Sequence, residues 1–70
     1  MKNRLEEFRM QKGWTQQELA DQVAVSRQTI ISLERGHYNP SITLAFRLAR
    51  QFDVNIEDLF LYSAEEDDNG

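Results

Sequence analysis

Between Thr15 and Gly36 the chain specifies two short helices held too close together in sequence to drift apart, and that constraint governs the rest of the fold. Thr15 and Glu18 have the spacing of a capping box: Thr15 accepts from the Glu18 amide while Glu18 reaches back to the Thr15 amide. Ser26 is suited to cap a second helix, and Gly36 to end it in a left-handed conformation. Only Ala24-Val25-Ser26 lies between the two. Leu19, Ala20 and Val23 give the first helix a buried face, and Ile30 and Leu33 do the same for the second.

A chain of 70 residues makes one domain, close to the lower size at which a core suffices unaided. With no Cys, neither a disulfide nor a thiolate metal site can supplement that core, and a lone His37 cannot make a zinc site. Met1–Phe8 has no apolar run resembling a signal peptide, and nothing in the chain is suited to span a bilayer, so a cytoplasmic protein with no membrane association is expected.

Outside the paired helices the pattern continues as helix. A first helix is expected from Lys2 to Lys12, with Leu5 and Phe8 on one face and Gly13 as its stop. Trp14 reads as a core anchor rather than a ligand-stacking residue. His37-Tyr38-Asn39-Pro40 is a loop marked by Asn-Pro. A fourth helix starts near Ser41 with apolar residues at Ile42, Leu44, Ala45, Leu48, Ala49 and Phe52, and Asn55 caps a short fifth helix holding Ile56, Leu59 and Phe60. No strand-like alternation competes. The fold class expected is all-α, a compact five-helix domain over residues 1–62, followed by an acidic, disordered tail over 63–70.

Two capped helices across so short a turn form a helix-turn-helix, whose second helix can enter the DNA major groove. The run Thr15-Gln16…Glu18-Leu19-Ala20…Val25-Ser26-Arg27-Gln28-Thr29-Ile30…Leu33-Glu34-Arg35-Gly36, followed by Asn39-Pro40-Ser41, resembles the phage repressor/Cro (XRE-type) family of helix-turn-helix transcriptional regulators. The likeness extends from about Leu5 to Leu61 and implies a lambda-repressor-like DNA-binding domain. One departure is Ala24, where the family usually carries Gly; either the turn is slightly strained there or it takes an ordinary α-like geometry.

The net charge of −4 conflicts with a DNA partner only when read as a whole. Four of the twelve acids are Glu65, Glu66, Asp67 and Asp68, so residues 1–64 balance eight cations against eight anions. A neutral domain binds DNA if one face concentrates its cations, with modest non-specific affinity. The tail reads as solubilising, or more sharply as an electrostatic restraint on DNA binding.

On a helix over about 27–35, Ile30, Leu33 and Glu34 share one side while Gln28, Ile31, Ser32 and Arg35 share the other. Gln makes paired hydrogen bonds with adenine, Ser contacts several base edges, and Ile31 suits a thymine methyl or, alternatively, a dimer or core contact. Arg27 suits a guanine edge or a phosphate, and Thr29 a phosphate. Gln16, in the first turn of its helix, suits a phosphate at the positive end of the dipole. The resemblance adds His37, Tyr38 and Asn39 as a second phosphate-contact region, and pairs Arg9 with the inward Glu34 as a structural lock.

One recognition helix reads only a few base pairs, so a homodimer on a palindromic double-stranded operator is expected, with half-sites about 34 Å apart. Phe60, Leu61 and Tyr62 offer the dimer surface, the alternative being that they finish the monomer core. The leading function is a sequence-specific transcriptional regulator of repressor type. The alternatives are an antitoxin-type autorepressor with a protein partner, and an adaptor that uses this fold without reading DNA. An enzyme is the weakest reading, with one His, no Cys and no Gly-rich phosphate loop; no cofactor, metal or small-molecule effector is implied.

Overall fold

Four helices of this protein end in the same way, each stopping at a residue in the left-handed conformation: Gly13, Ala24, Gly36 and Asp53. In each, the left-handed residue's amide turns back on the last turn and the following amide reaches one carbonyl further, as in Trp14 to Arg9, Val25 to Ala20, His37 to Ser32 and Val54 to Ala49 at 3.0–3.2 Å. The computed structural model describes residues 2–61, so the acidic stretch and Tyr62 lie outside the described residues. The elements are β1 (Lys2–Asn3), α1 (Leu5–Lys12), α2 (Gln16–Val23), α3 (Arg27–Glu34), α4 (Ile42–Phe52), α5 (Ile56–Leu59) and β2 (Phe60–Leu61).

The helix starts follow the caps. Thr15 and Glu18 form the reciprocal capping box, at 3.0 Å to the Glu18 amide and 2.9 Å from the Thr15 amide. Ser26 accepts from the Thr29 amide at 3.2 Å and Ser41 from the Leu44 amide at 3.1 Å. The first helix is shorter than expected. Lys2 and Asn3 do not continue it but pair antiparallel with Leu61 and Phe60. Asn3 enforces the change: its Oδ1 accepts from the Leu5 amide at 3.0 Å and its amide donates to the Leu33 carbonyl at 2.7 Å, so the helix begins beyond it. The same pairing draws Phe60 out of the fifth helix into β2.

The five helices bury one core of Leu5, Leu19, Ala20, Val23, Ile30, Leu33, Leu44, Ala45, Leu48, Phe52, Leu59 and Phe60. Phe8 and Trp14 close one end against Phe52, with ring centroids 5.9 and 5.4 Å from it. Trp14 is therefore the core anchor expected. Two expectations fail at the surface. Ile42 is 75% exposed, because it lies on the opposite side of α4 from Leu44 and Leu48. Phe60, offered above as dimer surface, instead belongs to the core of the monomer, while Leu61 is exposed. No helix among the described residues is long and apolar enough to cross a membrane.

The turn between α2 and α3 resolves the question raised by Ala24, which adopts φ 61°, ψ 45°. A non-glycine residue in that region carries a cost of about 1–2 kcal/mol, against the roughly 0.5–1 kcal/mol that glycine loses through its unfolded-state freedom. Ala24→Gly is therefore expected to stabilise the protein by about 0.5–1 kcal/mol, read as a higher urea midpoint. A lower midpoint would contradict this account of the turn.

Candidate nucleic-acid interface

The geometry of α3 follows from what holds its inner side. Ile30 and Leu33 are fully buried, and the Glu34 side chain, only 2% exposed, receives Arg9 through Nε at 2.7 Å and Nη2 at 3.3 Å. Arg9 also donates Nη1 to the Trp14 carbonyl at 2.8 Å, so one guanidinium ties α1, the start of α2 and the end of α3 together. The hydrogen bonds it donates to Glu34 hold the Arg9 guanidinium above its ordinary pKa despite its burial. A rigid inner side leaves the outer side in a defined position.

On that outer side Gln28 is exposed and Ile31 and Ser32 are half-buried, while Arg27 is exposed and Thr29 half-buried in the first turn. The Gln28 amide lies 3.5 Å from the Ser32 hydroxyl one turn on, so the two adjoin as a polar strip. Thr29 is drawn toward the helix start, its hydroxyl 3.0 Å from that of Ser26. Arg35 is exposed at the end of the helix, and His37, Tyr38 and Asn39 are exposed in the loop beyond.

Gln16 has a role that sequence reasoning missed. Its side-chain amide donates to Glu34 Oε1 at 3.2 Å, completing the carboxylate's hydrogen bonding. The signal was present in the inward Glu34, since a buried carboxylate requires more than one partner. Gln16 also lines an open polar hollow with Arg9, Thr15, Gln17 and Arg27, which brings Arg27 and the start of α2 to one place. Gln17 had not been singled out. Asn39 is separated from this group: it borders an apolar hollow with Pro40, Ile42, Ala45 and Phe60. Among the described residues, no group of three or more His, Cys, Asp and Glu side chains is suited to hold a metal ion.

A polar strip on a helix whose other side is locked into the core can present hydrogen-bonding groups to base edges, with cations at its start and end to meet phosphates. A family model described as Helix-turn-helix matches residues 5–59 of the chain. An uncharacterised HTH-type transcriptional regulator of Archaeoglobus fulgidus is 53% identical over 66 residues, covering 94% of each chain. Among solved structures, the restriction-modification controller protein C.AhdI from Aeromonas hydrophila aligns with a TM-score of 0.74 at 35% identity, over 81% of this chain and 86% of that one. The N-terminal DNA-binding domain of SinR from Bacillus subtilis aligns with a TM-score of 0.70 at 31% identity, over 77% and 80% respectively.

Proposed function

Because the chain belongs to the HTH_3 helix-turn-helix family of transcriptional regulators, we propose that it is a repressor that inserts α3 into the major groove of a palindromic operator as a homodimer. The observation that carries this reading is the division of α3 into a locked inner side and an outer polar strip of Gln28, Ser32 and Arg35, with Arg27 exposed at the helix start. Gln28 takes adenine, Ser32 a neighbouring base edge and Ile31 a thymine methyl. Arg35 stands at the groove edge, and His37 and Asn39 meet the backbone beyond the helix. The adaptor alternative would require an α3 stripped of such groups, and the strip argues against it.

Arg27 adjoins Gln16 and the free amides at the start of α2, and this favours a phosphate as its partner. Thr29, turned toward Ser26 at the start of α3, offers a second hydroxyl to the backbone there. Arg27→Ala is expected to weaken binding to all duplexes alike and to lower the slope of log affinity against log salt by about one per protomer. An unchanged slope together with altered base preference would assign Arg27 to a guanine instead.

Selection of bound duplexes from a random-sequence library tests the whole reading. Enrichment of a palindrome with half-sites about 34 Å apart is the expected result. Failure to enrich any sequence at low salt would overturn it and favour a protein partner.

A further inference from the structure

We propose that the acidic run 65–68 folds back against the end of α3, where it occupies Arg35 and Lys2 and competes with the DNA backbone for them. The competition rests on the DNA reading above; the contact itself does not.

The place follows from where the described chain stops. Leu61, its last residue, pairs with Lys2 in the β1–β2 ladder. Asn3, next along β1, donates its side-chain amide to the Leu33 carbonyl at 2.7 Å, so this ladder lies against the last turn of α3. Arg35 follows Leu33 by two residues and is exposed, as is Lys2. Glu65 stands four residues beyond Leu61 and Asp68 seven, and chain of those lengths spans at most about 14 and 25 Å. All eight residues of α3 rise through only about 12 Å, so the end of the helix falls within that reach.

Charge selects the site among the cations. Arg4 is paired with Glu7 and Arg9 with Glu34, each at 2.7 Å. Arg47 and Arg50 border a hollow with Gln22 and Gln51, whose lining includes no residue of β1 or β2. Lys2 in the ladder, and Arg35 just past the helix turn that the ladder touches, form no ion pair among the described residues. Four consecutive acids on an extended chain carry one negative charge per about 3.3–3.6 Å, close to the charge spacing of about 3.4 Å along a single DNA strand. The run therefore offers these cations what a phosphate backbone offers. Because run and cations belong to one chain, even a weak pairing is populated without a second molecule. Duplex binding must displace the run, which takes up cations from solution as it leaves, and this lowers both the affinity and its dependence on salt.

Two-dimensional NMR of the full chain without DNA reads the contact. Glu65→Gln, Glu66→Gln, Asp67→Asn and Asp68→Asn combined are expected to shift the Arg35 Nε–H signal and the Lys2 amide, and to leave the Arg47 Nε–H signal in place. No shift at Arg35, or an equal shift at Arg47, would overturn the contact. Duplex titration reads the competition. The neutralised variant is expected to bind duplex about three- to tenfold more tightly at low salt, with a steeper fall of log affinity against log salt, and to match the wild type at about 0.5 M salt. In an Arg35→Gln background the same four changes are expected to gain less. Equal gains in the two backgrounds would assign the effect to net charge acting at a distance and overturn the proposal, as would an unchanged affinity. A shift at Arg35 in a protein that binds no duplex contradicts the DNA reading and leaves the contact standing.

Discussion

Arg9→Ala is expected to destabilise the fold by about 3 kcal/mol, lowering the thermal midpoint by roughly 12–24 °C for a domain of this size. The Glu34 side chain is 2% exposed, and among the described residues its two hydrogen bonds from Arg9 are joined only by the one from Gln16. Truncation leaves a carboxylate out of water with a single neutral partner, and that desolvation, rather than the attraction lost, makes the effect large. The Trp14 carbonyl loses its donor as well. Replacing both charges with apolar side chains of similar volume, as in Arg9→Met with Glu34→Leu, is expected to cost less than Arg9→Ala alone, because no buried charge remains. Thermal unfolding followed by circular dichroism checks both; a midpoint for Arg9→Ala within 2 °C or so of wild type would contradict the lock.

Gln28→Ala should leave stability nearly untouched and remove the preference at one base pair of each half-site. The side chain is exposed, so its truncation is expected to change unfolding free energy by no more than about 0.5 kcal/mol. A paired contact with one base contributes about 1–3 kcal/mol of discrimination, on the order of tenfold in affinity for each half-site. A dimer carries the change twice, so loss on the full operator approaches the square of that factor. Titration of both proteins against one selected duplex, with a scrambled duplex alongside, reads the difference. Non-specific affinity is expected to stay the same, since no phosphate contact has been removed. An equal loss on both duplexes would mean that Gln28 supports the backbone rather than a base.

The parts of this molecule that were legible from sequence are those set by local chemistry. Thr15, Ser26 and Ser41 start helices because their hydroxyls satisfy free amides, and Gly13 and Gly36 end them because a left-handed residue is needed there. The Arg9–Glu34 lock was legible only through resemblance, since periodicity turns Glu34 inward without naming its partner. What escaped depends on contacts between distant segments. Lys2 and Asn3 form β1 only because Phe60 and Leu61 lie beside them, and two residues are too few to show alternation. Ala24 kept both geometries open because the cost of a left-handed alanine is small enough for the α2–α3 packing to override it. Ile42 and Phe46 were hidden by composition: their spacing from each other is helical, and so is that of the core residues they oppose. Gln16 was assigned by its place at a helix start, while its partner came from the far end of another helix.

The most direct test of the claim that α3 reads bases is duplex selection performed in parallel with wild type and Gln28→Ala. The account predicts the same palindrome and half-site spacing from both proteins, with preference lost in the variant at one base pair of each half-site and kept elsewhere. An identical base profile from the two proteins would contradict it, because the exposed strip of α3 would then lie against something other than the bases.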